Sequence, residues 1–151
     1  MAEKQAFEMP DGEYAGDVTC RDAWAVLAED SAAVLVDVRT EVEWQLIGKP
    51  DLSPHHKEPF FVQWVTMSGM NPDFMAELKT GLAQRDVGPD TPVFFLCQSG
   101  GRSKMAAIQC TAEGFTQCFN IAEGFEGDLD GERHRNSVNG WKVSNLPWYQ
   151  S

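Results

Sequence analysis

Cys97 is followed by Gln98, Ser99, Gly100, Gly101, Arg102 and Ser103, a run in which a nucleophile, a flexible turn and a cation lie within seven residues. The four residues before it, Val93-Phe94-Phe95-Leu96, are all apolar and read as a strand covered on both faces. A helix is predicted after it, over residues 102–113. The cysteine therefore ends a strand, where open α/β sheets bind their ligands. It also faces the positive end of a helix dipole. Two glycines allow the positive φ that lets the amides of residues 98–103 curl into a nest for an anion. All three effects favour the thiolate, the nucleophilic form of cysteine, and point to covalent catalysis through Cys97. A buried cysteine before an ordinary strand–helix turn is the plain alternative. The Gly-Gly-Arg-Ser that follows tips the balance toward chemistry.

The elements that must position this loop alternate along the chain. Thr19 and Asp22 form a capping box with Asp in place of Glu, opening a helix with Ala23, Trp24, Val26 and Leu27 on one face. Residues 33–37 read as a buried strand, and Thr40 with Glu43 as a T-x-x-E capping box for a short helix carrying Trp44. Residues 48–57 read as loop and 60–65 as a second strand. Asn71-Pro72 predicts a helix start, with Phe74, Leu78 and Leu82 inward. After the turn at 88–92 come the strand at 93–96 and the helix at 102–113. That helix has Met105, Ile108 and Ala112 inward, and Gly114 stops it. Residues 118–121 give a last strand. Strands alternating with helices predict an α/β class with a mainly parallel sheet. Residues 1–17 read as an N-terminal arm and 18–151 as one domain.

Cys97-Gln98-Ser99-Gly100-Gly101-Arg102-Ser103 fits C-x-x-G-x-R-S, and the chain resembles a single-domain rhodanese. Three further segments carry the likeness: Val34-Leu35-Val36-Asp37-Val38-Arg39-Thr40 with Glu43-Trp44, the strand entering Cys97, and Gly140-Trp141 to Leu146-Pro147. The resemblance implies a rhodanese-like fold, a five-stranded mainly parallel sheet with helices on both faces. It implies sulfur transfer through a Cys97 persulfide, from a small anion such as thiosulfate or a protein persulfide to a thiol or cyanide-like acceptor. No cofactor and no metal are implied. Phosphatases and arsenate reductases on the same fold use C-x5-R, whereas Arg102 here is only five positions after Cys97. The tighter ring suits a sulfur atom better than a tetrahedral phosphate. The competing readings are such a phosphatase-like or arsenate-reducing enzyme, and a non-turnover module that carries sulfur or binds a protein.

Around the loop, Arg102 can face a bound anion or turn back to a carboxylate such as Asp37. Asp37 can equally pair with Arg39. Arg39 is expected to brace Glu43, and Ser103 either offers its hydroxyl to the site or caps the helix. One segment departs from the family: residues 128–139 are inserted between Gly127 and Gly140 and carry Arg133-His134-Arg135. They are either a solvated loop or a positive rim. His55-His56 lack partners at metal-ligand spacing, and Cys20, Cys110 and Cys118 form no C-x-x-C pair.

A positive rim would matter because the 151 residues hold 12 Lys and Arg against 23 Asp and Glu, a net charge of −11. Such a balance argues against non-specific nucleic-acid or anionic-membrane binding, and any anionic substrate needs a local positive field. The 42% hydrophobic content suits one globular core. No apolar run approaches the ~20 residues of a membrane span, and the first ten residues lack a signal-peptide core. Reduced cysteines and a cytoplasmic location are the expectations, and the oligomeric state is left open.

Overall fold

The computed structural model describes residues 12–150. In chain order the strands and helices are β1 (Gly16–Val18), α1 (Cys20–Glu29), β2 (Val34–Asp37), α2 (Glu41–Leu46), β3 (Lys49–Pro50), β4 (Phe60–Phe61), β5 (Val65–Thr66), β6 (Gly69–Met70), α3 (Phe74–Gln84), β7 (Val93–Leu96), α4 (Gly101–Ala112), β8 (Cys118–Ile121) and β9 (Trp148–Tyr149). Five strands form one sheet in the order β1-β8-β7-β2-β4, every pair parallel. The expected five-stranded α/β architecture is the one observed.

Alternation along the strands divides the core into two halves. Val34 and Val36 of β2, Val93 and Phe95 of β7 and Cys118 of β8 face α3 and α4. Leu35, Phe94, Leu96 and Ile121 face the other way, onto α1, Leu52, Phe125 and Trp141. Both central strands are buried on every residue, which is why they read as unbroken apolar runs. Trp141, fully buried, donates its indole N–H to the Pro147 carbonyl at 2.7 Å and ties the C-terminal segment under the sheet. β3 and β9 pair there as a small antiparallel ribbon.

Several sequence expectations need correction. The strand over residues 60–65 joins the main sheet only at Phe60–Phe61. Beyond Trp64 the chain folds back as the β5–β6 hairpin. The loop at 48–57 contains β3 and a 3-10 turn at Ser53–His55. α3 starts two residues after Pro72, because Asn71 accepts the Asp73 amide and donates to the Gln63 carbonyl, pinning a turn first. α4 turns Ser103, Ala106, Ala107, Ile108 and Cys110 inward, while Met105 is half-buried and Ala112 is exposed. Trp24 and Trp44 are also half-buried. The two capping residues behave as expected: Thr19 accepts the Asp22 amide, and Thr40 with Glu43 closes a full capping box. Of the arm at residues 1–17, positions 1–11 lie outside the described residues, and Gly16 and Asp17 belong to β1.

The rim of the sheet is braced by a buried ion pair. Arg39 donates from Nε and Nη2 to Asp37, with Nη2 at 2.8 Å, and both side chains are 0% exposed. Arg39 does not brace Glu43. In extended backbone, residues two apart share a face, so Asp37 is its nearest carboxylate. Arg39 also donates to the Gly48 carbonyl and lies over the Phe125 ring, linking β2 to both neighbouring turns. Among the described residues no helix is long and apolar enough to cross a membrane.

Because a buried charge without its partner is costly, Arg39→Met is expected to destabilise the fold by about 3–5 kcal/mol. Adding Asp37→Leu should recover most of that loss, since the paired positions then bury no charge. Urea denaturation of both variants checks this. A double variant no more stable than the single one would contradict it.

Candidate active site

Cys97 sits one residue past β7, and the sulfur completes the helix that follows. Gly100, at the N-cap of α4, has no side chain to accept the amides a helix start leaves free. Cys97 Sγ takes that place. It accepts the Gly100 N–H at 3.1 Å and the N–H of Ser103, the third residue of the helix, at 3.3 Å. Gly100 can turn this way because its φ is +102°, and a Cβ there would meet the Ala122 carbonyl oxygen at 2.3 Å. The cradle is therefore made by backbone geometry, with the sulfur as its acceptor.

The turn after β8 holds this loop from the other side. Phe125 N–H donates to the Cys97 carbonyl at 2.8 Å, and the Glu126 and Gly127 amides donate to the Gln98 carbonyl at 3.1 and 3.3 Å. Gln98 Nε2 also donates to Glu126 at 3.2 Å. The approach is so close that a Cβ on Gly124 would lie 2.3 Å from the Gln98 carbonyl oxygen. Cys97 itself is 1% exposed. Ser99 is half-buried and Gly101 exposed.

Arg102 takes Glu43 rather than Asp37 as its partner, in a forked pair with Nη1 to Oε1 at 2.8 Å and Nη2 to Oε2 at 3.0 Å. α2 places Glu43 there because the same carboxylate accepts the Thr40 amide of the capping box. Burial pushes the Glu43 carboxyl up, but the Arg102 pair and the Thr40 amide outweigh it and hold it below its ordinary value. The pair joins α2 to α4 across the mouth of the loop. Ser103 is no cap: it lies inside α4, and its Oγ is 3.2 Å from Cys97 Sγ and 2.6 Å from Asn120 Oδ1.

The inserted residues 128–139 are ordered by their own bonds. Asp130 accepts the Glu132 and His134 amides and the Ser137 hydroxyl, and these donors hold its carboxyl below its ordinary value. Arg135 donates to the Gly127 carbonyl at 2.7 Å, and the Asn136 amide to that of Glu126. The insertion is thus rooted in the turn that grips Gln98. Arg133 and His134 are exposed on its outside.

The remaining candidates are structural. His55 packs on Trp24 with ring centroids 3.9 Å apart, and among the described residues no cluster could hold a metal ion. Cys20, Cys110 and Cys118 are buried and free. Burial and Glu123 push the Cys20 thiol up, while the bond to Cys118 and burial push up that of Cys110. Three participants lie outside the roles the sequence suggests. Glu43 was expected to meet Arg39 and instead holds Arg102. Gly124 gave no sign beyond being a glycine in a turn. Asn120 was detectable as the lone amide in the apolar strand Cys118–Ile121.

Several known proteins are similar to this chain. A protein of known structure, Rv0390 from M. tuberculosis, is 47% identical, with a TM-score of 0.81 over 92% of this chain and all of that one. An uncharacterized protein of Rickettsia rickettsii, the RP600 homolog, is 36% identical over 126 residues, 83% of this chain and 90% of its own length. The chloroplastic rhodanese-like domain-containing protein 4 of Arabidopsis thaliana is 24% identical over 89% of this chain, which spans 26% of that longer protein. The polysulfide-sulfur transferase homodimer of Wolinella succinogenes shares the fold, with a TM-score of 0.54 and 22% identity over 89% of this chain and 78% of that one. The family model described as the STR4 middle domain matches residues 15–151. The chain belongs to that family and, through its relatives, to the rhodanese-like superfamily.

Proposed function

We propose that the protein is a sulfurtransferase with Cys97 as its nucleophile. The observation that carries this reading is the pair of amide N–H groups, from Gly100 and Ser103, aimed at Cys97 Sγ. Oriented amides stabilise an anion at no cost in reorganisation, and the same loop can serve a thiolate and the persulfide that replaces it. In the first step the Cys97 thiolate attacks the outer sulfur of a donor such as thiosulfate. An S–S bond forms on the enzyme, the donor S–S bond breaks, and sulfite leaves with the electron pair. In the second, a thiolate or cyanide attacks the outer sulfur and Cys97 leaves as thiolate. No net oxidant is required.

The charges around the loop suit a small or locally guided donor. Arg102 is engaged by Glu43, and Arg135 by a backbone carbonyl. Arg133 is then the exposed arginine of the insertion that can attract an anion toward the loop against a net charge of −11. The short loop keeps its amides on a single sulfur, which favours this chemistry over phosphate hydrolysis. The four free cysteines suit a reducing compartment such as the cytoplasm.

The deciding experiment is thiosulfate:cyanide transfer, read as thiocyanate. Cys97→Ser should abolish it, while Cys110→Ser, altering a thiol held neutral in the core, should keep most of it. Full activity without Cys97 would overturn the mechanism. Inserting one glycine after Gly101 should widen the ring and reduce transfer at least tenfold. An unchanged rate would show that ring size does not select the substrate. Arg133→Ala should raise the thiosulfate KM about twofold at low salt, with kcat unchanged and the difference fading as salt screens the charge. Equal KM values at low salt would make the insertion ordinary surface.

A further inference from the structure

Asn120 is a buried amide, 2% exposed, in the middle of β8. Its parallel register places it beside Phe95 of β7 and Asp17 of β1. Side chains in register share a face, and this is the face covered by α4. Asn120 therefore reaches Ser103 on one side and Asp17 on the other. An amide has a donor end and an acceptor end, and its neighbours decide its orientation. A carboxylate only accepts, so Asn120 Nδ2 turns to Asp17, at 3.1 Å from Oδ1. Its own Oδ1 is then left facing Ser103.

That orientation has a consequence for the sulfur. The Ser103 hydroxyl has one proton, and it points along the 2.6 Å contact to Asn120 Oδ1, an atom that can only accept. Ser103 Oγ consequently meets Cys97 Sγ, 3.2 Å away, with a lone pair. This suits a thiol, whose S–H donates to Oγ. A thiolate needs the opposite arrangement, with the hydroxyl donating to sulfur.

We infer that Asn120, oriented by Asp17, is a positioning residue that competes with Cys97 for the Ser103 hydroxyl proton and so sets how readily the sulfur becomes anionic. The inference rests on the reading of Cys97 as nucleophile and adds a control to it. When the thiol ionises, its proton goes to solvent and the Ser103 hydroxyl rotates from Asn120 to the sulfur; no covalent bond changes. The charged and titratable groups around this cluster come from every neighbouring element. They are Arg102 on α4 with Glu43 on α2, Asp37 with Arg39 at the end of β2, and Glu126 after β8, which Gln98 reaches. On the β1 side they are Asp17, Tyr14, which donates to Asp17 at 2.8 Å, and Lys104, over the Tyr14 ring at 5.8 Å. Asp17 is exposed, so losing its bond to Asn120 leaves it hydrated rather than stranded.

The test follows the ultraviolet absorbance of the Cys97 thiolate against pH, as a difference from Cys97→Ser, and needs no sulfur donor. Asn120→Leu releases the hydroxyl to the sulfur. It should move the midpoint to lower pH and raise the thiolate fraction on the acid side about three- to tenfold, the scale of one hydrogen bond. In a Ser103→Ala background the same substitution should have no effect. If Asn120→Leu does not fold, Asp17→Ala, which frees the amide to rotate, should shift the midpoint in the same direction relative to Asp17→Asn, which keeps an acceptor. An unmoved or raised midpoint would overturn the inference, as would a shift that persists without Ser103. If the titration shifts as expected but the parent transfers no sulfur, the inference stands and the sulfurtransferase reading falls.

Discussion

One sulfur atom closes a helix. Because Gly100 offers α4 no capping side chain, Cys97 Sγ accepts the Ser103 amide in its place, and the Gly100 amide with it. The loop's shape and the sulfur's electrostatic setting are therefore the same feature. Everything that holds the loop in that shape also tunes the sulfur. Gly100 must lie in the left-handed region against Ala122, and Gly124 must lie against Gln98, with no room for a Cβ at either. A change at these glycines reaches the Cys97 sulfur without touching it.

The charged side chains brace this arrangement more than they decorate it. Asp37 and Arg39, fully buried, join the end of β2 to Gly48 and Phe125. Glu43 and Arg102 join α2 to α4, and the groups that touch the sulfur are the Gly100 and Ser103 amides and the Ser103 hydroxyl. Amides carry no titratable charge here and barely move, so their field at the sulfur is fixed by the fold. An acidic protein can in this way favour an anion at one point while repelling anions elsewhere. The insertion is rooted through Gly127 and Glu126 in the turn that grips the loop.

What could be read from the sequence was local. The β7–loop–α4 unit, both capping threonines and the two-sided burial of the central strands follow from neighbouring residues, and the structure has them where they were expected. The alternation of elements gives the α/β class and the parallel sheet, while its five strands follow only from the resemblance to the rhodanese family, because β1 lies in residues that read as an arm. The arginine pairings follow from neither, because the partner of Arg39 or Arg102 depends on which elements meet in space. Glu43 is near Arg39 in sequence, whereas α2 turns it toward Arg102, 59 residues away. The strand at 60–65 is shorter than its residues suggest for a related reason. Aromatic and β-branched residues raise strand tendency, but Asn71 ties the chain back at Gln63 and Trp64 and diverts it into a hairpin. Asn120 carries meaning only once α4 and β1 are placed on either side of it.

The central claim is that this cradle holds a sulfur-bearing anion on Cys97. Intact-protein mass spectrometry after incubation with thiosulfate, before and after cyanide, tests it most directly. The mass should rise by one sulfur atom, the added sulfur should map to Cys97, and cyanide should remove it. A protein that gains no cyanide-labile sulfur, or gains it on Cys20, Cys110 or Cys118, would contradict the claim.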